Sequence, residues 1–256
     1  MKAQPLPRFP NPTNSNPSLD AEHTLYLAGT GGGKTSAVKY LGLVPKGAQA
    51  LFFDPYRNYA GAKFHGQQCH GYSVRSEFIR AAVNARKSGK PFKVAYVPKQ
   101  GACMNELEFF SAVAWALGNG LAPKLYVVIE ELASCAETSA KLKGKTGELL
   151  RGGRQYGLVI HTVFQRGQEV PKTITDQSSV WWVGSVNSVN DAKWVAERKS
   201  VRVDEITALK SAKVNKARIG KPIAEYLVIR DGIGNVERAA LNCVTGRKLS
   251  RKYNNL

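Results

Sequence analysis

The chain has 256 residues, 43% of them hydrophobic, and its 37 Lys and Arg against 19 Asp and Glu give a net charge of +18. This length accommodates one large α/β domain or two small ones around a sizeable core, and no uncharged apolar run approaches the roughly 20 residues of a membrane-spanning helix. The positive excess predicts a polyanionic partner, nucleic acid ahead of acidic lipid, because a compact basic chain otherwise repels itself.

Residues 1–22 are rich in Pro, Asn and Ser and lack the apolar stretch of a secretory signal, so a flexible arm is expected there. A folded domain is expected over 23–244, followed by a basic, mobile tail over 245–256. Thr24–Ala28 reads as a short buried strand that runs into a glycine cluster, and Thr35–Leu43 as a helix. Ala50–Phe53 is a second strand, stopped at Asp54-Pro55 because proline cannot donate to a ladder. His65, Cys69 and His70 lie close together, but a closed zinc site needs four placed ligands, and a turn with a buried thiol is the expected reading. The four cysteines Cys69, Cys103, Cys135 and Cys243 form no CxxC pair and suit reduced thiols.

Helices are expected over Ser76–Ser88 and Glu106–Leu117, and strands over Phe92–Val97 and Leu125–Ile129. A basic, glycine-rich helical region, Lys141–Arg154, precedes strands at Leu158–Phe164 and Val180–Val183. Alternation of helices with strands apolar on both faces predicts an α/β fold, a mostly parallel sheet covered by helices on both faces. The adjacent Trp181 and Trp182 point to opposite faces of their strand, one into the core and the other towards a neighbour. Residues 189–218 read as helical and charged. Ala224–Ile229 and Val236–Leu241, around Asp231-Gly232 and Gly234-Asn235, read as a C-terminal β-hairpin.

The strongest chemical signal is Ala28-Gly29-Thr30-Gly31-Gly32-Gly33-Lys34-Thr35, followed by Ser36. It matches the phosphate-binding P-loop, with Ala28 where the first glycine usually stands. Glycines let successive backbone N–H groups face a β-phosphate. Lys34 places a point charge on the β and γ oxygens, and the Thr35 hydroxyl can hold Mg²⁺. ATP and Mg²⁺ are therefore the expected ligands. Ala28 is tolerable if its φ is negative.

Phosphoryl transfer also needs a metal anchor and a group that orients water. Tyr126-Val127-Val128-Ile129-Glu130-Glu131 offers both at a strand's C-terminal end, where ligands sit in open α/β sheets. Glu130 would support Mg²⁺ through water and Glu131 would polarise the nucleophile, although the two roles could be exchanged. Gln165, at the tip of the strand Leu158–Phe164, can reach a γ-phosphate. Arginines ahead of that strand, among Arg151-Gly152-Gly153-Arg154, could act on a neighbouring subunit's nucleotide. Asp54 either sits beside the nucleotide or caps its own loop.

Lys34-Thr35, Asp54-Pro55, Glu130-Glu131, Arg154 with Tyr156-Gly157, and Gln165-Arg166 fall in an order that resembles the FtsK–HerA superfamily of DNA-pumping ATPases. Val170-Pro171 extends the likeness, which covers residues 24–184. The small size is similar to the genome-packaging ATPases of tailless, membrane-containing icosahedral viruses. The resemblance implies a RecA-like P-loop core and a homo-oligomeric ring, six subunits favoured, that threads double-stranded DNA into a preformed capsid. It also implies a location in the host cytoplasm or at the virion's packaging vertex, with a capsid or membrane protein as neighbour. On the matching positions Arg154 becomes the arginine finger, Arg151 its reserve, and Gln165 the γ-phosphate sensor. The departures are Ala28, Glu130 in place of the commoner aspartate, and Gly167 where proline is common. The rival readings are a filamentous-phage assembly or secretion ATPase, a small-metabolite kinase, and a nucleotide-gated DNA-binding scaffold. Lys141, Lys143, Lys145 and Arg151 are the candidates for DNA contact.

Overall fold

The computed structural model describes residues 8–135, 141–232 and 234–249. In chain order, β1 (Thr24–Leu27), α1 (Lys34–Tyr40), β2 (Gln49–Phe53), β3 (Lys63–Phe64), β4 (Gln67–Gln68) and β5 (His70–Tyr72) come first. There follow α2 (Arg75–Lys87), β6 (Phe92–Tyr96), α3 (Met104–Ala116), β7 (Leu125–Ile129), α4 (Leu132–Cys135), α5 (Gly144–Gly152) and β8 (Leu158–Phe164). The remainder is α6 (Lys172–Gln177), β9 (Val180–Gly184), α7 (Val189–Lys199), α8 (Val203–Thr207), α9 (Ala212–Ile219), β10 (Ile223–Arg230), β11 (Val236–Asn242) and β12 (Lys248–Leu249). The described residues fall into two compact units, the first within Met1–His23, Pro45–Thr162 and Pro171–Gln177, the second within Thr24–Val44, Val163–Val170 and Ser178–Leu256.

The first unit is a parallel sheet. β7 pairs with β2 and β8, β2 with β6, and β6 with β5. Every residue of β2 and β6 is buried, as expected of parallel strands covered on both faces. An aromatic cluster supplies much of the core: Phe78 stacks on Phe110 at 5.8 Å, and Tyr96 meets Phe78 at 5.1 Å and Phe109 at 5.2 Å. Helix α5 forms where the basic glycine-rich region was expected to be helical, because the Glu108 carboxylate accepts from the Lys145 and Thr146 N–H groups at its start, satisfying donors that a helix leaves open.

The described part of the expected flexible arm, residues 8–22, is instead tied into this unit. Thr13 N–H donates to Gly118 O at 3.1 Å, Asn16 N–H to Gln155 O at 2.7 Å, and Lys124 pairs with Glu22 at 2.6 Å. Its polar composition misleads because hydrogen bonds from backbone and polar side chains, with an ion pair, hold it rather than a large apolar face. Residues 1–7 of the arm lie outside the described residues.

In the second unit β1 pairs parallel with β9, and β9, β10, β11 and β12 continue antiparallel. The last two residues of β8 belong here, and Phe164 O accepts from Ala28 N–H at 3.3 Å. The expected hairpin is present, with Ile229 opposite Val236. Both tryptophans of β9 are buried, correcting the expectation that one meets a neighbour. Trp182 packs between Tyr26 and Tyr226 on one face, while Trp194 of α7 covers Trp181 at 5.4 Å on the other. Of the expected mobile tail, Lys248–Leu249 form β12 against β11, and residues 250–256 lie outside the described residues. No helix among the described residues is long and apolar enough to cross a membrane.

Candidate functional site

The phosphate loop joins β1 to α1 in the second unit. Gly33 caps α1 with φ 93°, a left-handed conformation that L side chains rarely adopt. A Cβ on Gly33 would lie 2.6 Å from the Ala224 Cβ and 3.2 Å from the Cys243 Sγ, so two strands' worth of C-terminal chain close on the loop. A cavity of about 290 Å³ opens on Gly31–Ser36, Ala212 and Cys243. The Lys34 Nζ donates to Ala28 O at 2.7 Å and Gly29 O at 3.2 Å, holding the ammonium over the loop's own start. Ser36 Oγ donates to Cys243 O at 3.2 Å, and burial pushes the Cys243 thiol pKa up.

Ala28, the departure from the usual motif, has a negative φ and is fully buried. Its methyl fits because its neighbours lack one: a Cβ on Gly32 would come within 2.7 Å of it, and one on Gly184 within 2.9 Å. The loop is thus a cradle that extra methyl groups would fill, and its donor set suits a polyphosphate.

Gln165 is brought to this loop, with the Thr30 Oγ donating to Gln165 Oε1 at 2.9 Å. Gly167 explains the missing proline. Its N–H donates to Asp191 Oδ1 at 2.8 Å, a bond proline could not make. A Cβ there would strike the Trp194 ring at 2.6 Å.

Glu130 and Glu131 close β7 in the first unit. Glu130 is 4% exposed, and Tyr59 Oη donates to its Oε1 at 2.5 Å. Asp54 is the organiser of that contact. Fully buried, it accepts from Asn58 N–H at 2.6 Å, Tyr59 N–H at 2.9 Å and Ala60 N–H at 2.8 Å. Asp54 therefore caps its own loop, which carries the Tyr59 hydroxyl to Glu130. Sequence reading missed Tyr59, since a tyrosine six residues beyond the end of β2 has no motif around it. Glu131 holds a left-handed backbone, φ 54°, without being glycine; such strain concentrates at functional positions. Its carboxylate accepts from Ser134 Oγ at 3.1 Å, so it also closes the start of α4.

The arginines are engaged within the first unit. Arg154 Nη1 donates to Pro17 O at 2.9 Å and also to Leu19 O, and Arg151 Nη1 donates to Leu142 O at 2.8 Å. Of the other expected DNA-contact candidates, Lys145 is paired with Glu148 at 2.7 Å, while Lys141 and Lys143 are exposed. Cys69 is buried and His70 exposed on the edge strand β5. Among the described residues no three His, Cys, Asp or Glu are grouped to hold a metal ion.

No family model matches the chain. Across 89% of this chain and 94% of the relative it is 26% identical to Protein P9 of Pseudoalteromonas phage PM2. The genome packaging NTPase B204 of Sulfolobus turreted icosahedral virus 2, solved with AMPPCP, matches with a TM-score of 0.62 at 12% identity, covering 85% of this chain and 96% of that one. The fold is shared with viral genome-packaging NTPases. VirB4 of Thermoanaerobacter pseudethanolicus matches as well, with a TM-score of 0.55 at 12% identity over 84% of this chain and 88% of its own. The expected α/β P-loop architecture with a C-terminal hairpin, and the resemblance to packaging ATPases, are both borne out.

Proposed function

We propose that the chain is a Mg²⁺-dependent ATPase whose turnover drives double-stranded DNA into a preformed viral capsid. It works as a homo-oligomeric ring, six subunits favoured, in the host cytoplasm and at the packaging vertex, beside a capsid or membrane protein. The observation that carries this reading is the phosphate loop, with Gly33 in a left-handed turn, Lys34 at its mouth and Gln165 bonded to Thr30. The fold shared with B204, which has been solved with AMPPCP and with ATP-gammaS, and the net charge of +18 support it.

In this mechanism the amides of Gly29, Thr30, Gly31, Gly32 and Gly33, with the Lys34 ammonium, hold the β- and γ-phosphates. The Thr35 hydroxyl and the Glu130 carboxylate are the residues that would hold Mg²⁺, which would supply charge to neutralise phosphate oxygens. Tyr59 fixes the Glu130 carboxylate. Glu131 orients the attacking water and accepts its proton, and Gln165 senses the γ-phosphate. Arg154, with Arg151 in reserve, exchanges its carbonyl partners for a neighbouring subunit's nucleotide and stabilises charge as the bond breaks.

The test is ATP turnover with and without long double-stranded DNA. Hydrolysis stimulated by DNA, abolished in Lys34→Ala and in Glu131→Gln, with the latter still binding ATP, is the expected result. Turnover indifferent to DNA refutes the translocase and points to a nucleotide-gated scaffold or a kinase. Mixing Arg154→Ala with Glu131→Gln subunits restores activity if the site is shared; no recovery in confirmed mixed assemblies removes the finger role.

A further inference from the structure

Residues 210–221 hold Lys210, Lys213, Lys216, Arg218 and Lys221, all exposed. No acidic residue occurs between Glu205 and Glu225. None of the five makes an ion pair among the described residues, whereas Arg75, Lys124, Lys145, Arg202, Arg238 and Lys248 all do. Like charges gathered on so short a segment repel one another, and the fold holds them there by specific anchors. Ser211 caps α9 by accepting from Val214 N–H at 3.1 Å. The buried Asn215 donates from Nδ2 to Ile223 O at 2.8 Å, and Lys210 O accepts from Glu225 N–H at 3.0 Å. Ala212 and Asn215 face inward, which leaves Lys213, Lys216 and Arg218 exposed on the helix, with Lys210 and Lys221 exposed at its two ends.

This segment also touches the phosphate loop. Ala212 lines the loop's cavity, and a Cβ on Gly31 would lie 3.3 Å from the Lys213 Cβ. An unpaired cationic surface is thereby packed against the residues that hold nucleotide.

We propose that residues 210–221 are the surface with which this chain grips the phosphate backbone of double-stranded DNA, and that their contact with Gly31 makes the grip depend on bound nucleotide. The inference rests on the translocase reading. Backbone contacts through lysine and arginine are independent of sequence, as a motor that must pass any sequence requires. A single strand would need stacking platforms, and no aromatic residue lies between Trp194 and Tyr226. Because coupling between two ligands is reciprocal, DNA must change nucleotide affinity as nucleotide changes DNA affinity.

The experiment measures binding of a fluorescent random-sequence duplex across a salt series. It compares the full chain with a variant carrying Lys210→Ala, Lys216→Ala, Arg218→Ala and Lys221→Ala, which leaves Lys213 on the loop. Each lost phosphate contact lowers the log–log salt slope by about 0.9, so the slope should fall by about 3 to 4 and Kd at ~0.1 M salt should rise at least ~tenfold. Lys87→Ala with Lys90→Ala, exposed lysines of the first unit, should leave the slope near the unsubstituted value. A Lys210→Arg, Lys216→Arg, Lys221→Arg variant should keep binding, which separates charge from folding. A fluorescent ATP analogue should bind with a duplex-dependent Kd in the unsubstituted chain, and this dependence should vanish in the alanine variant.

An unchanged slope in the alanine variant overturns the proposal. So does loss only of binding to phosphatidylglycerol–phosphatidylcholine vesicles, which would assign the surface to lipid. If the unsubstituted chain hydrolyses ATP yet binds no duplex at any salt, the translocase reading itself fails.

Discussion

Replacing Tyr59 by Phe removes one oxygen and tests how the Glu130 carboxylate is held. The ring can stay where it is, 4.8 Å from Phe52. What disappears is the 2.5 Å donor to a carboxylate that is 4% exposed. Hydrogen bonds to a charged group are worth about 1.5–3 kcal/mol, and each 1.4 kcal/mol is about a factor of ten in rate. If that energy holds Glu130 in its working position, kcat should fall by about 10- to 100-fold, while KM for ATP stays within about twofold because Lys34 and the loop amides are untouched. The Mg²⁺ concentration for half-maximal turnover should rise. The decisive assay is a double-mutant cycle of steady-state ATPase rates with Glu130→Gln. Tyr59→Phe should cost almost nothing further once the carboxylate is gone. Additive losses would mean that Tyr59 acts through something other than Glu130, and the reasoning would be refuted.

Gly33→Ala introduces a methyl 2.6 Å from the Ala224 Cβ at φ 93°. Affinity for a fluorescent ATP analogue should drop at least ~5-fold, since the backbone strain alone is about 1–3 kcal/mol; Gly42→Ala, with φ 78° but open space around it, should bind normally. Burial holds the His23 pKa at about 4 and the His161 pKa at about 3, whereas the unfolded chain takes up these protons near pH 6.5. Stability is therefore complete above about pH 6.5. It falls as the pH drops towards 4, by up to about 1.4 kcal/mol per pH unit for each histidine. Denaturant midpoints measured from pH 7.5 to 4 should show this slope, reduced in His161→Gln; a flat profile down to pH 5 would contradict it.

Contiguous chemistry was the legible part of the sequence. The phosphate loop, the acidic pair after β7 and Gln165 at the end of β8 are local patterns, each readable because residue type and strand end coincide within a few positions. The parallel strands were readable for the same reason, being largely apolar, with Lys93 in β6 and His161 and Thr162 in β8 among the polar exceptions. What escaped depends on distance in the chain. Ala224 and Cys243 meet Gly33 from about two hundred residues away, and no spacing rule connects them. The arm at 8–22 looked free because its anchors, main-chain and side-chain hydrogen bonds and the Glu22–Lys124 pair, reach partners a hundred or more residues away. Asp54 had two readings at sequence level, and the three N–H groups it accepts decide for the cap. The cations at 210–221 were hidden in a long charged stretch. Only burial of Ala212 and Asn215, and the pairing of cations elsewhere, separates them from an ordinary solvated face.

The late contributors to the phosphate loop bear on how the protein is made. Residue 33 leaves the ribosome early, but the wall that presses on it arrives only with Ala224 and Cys243. A nascent or truncated chain ending before the hairpin would carry the full glycine-lysine motif without the enclosure that shapes it. The enclosure of the loop is thus acquired only once residues 224 and 243 have been made and folded back onto it.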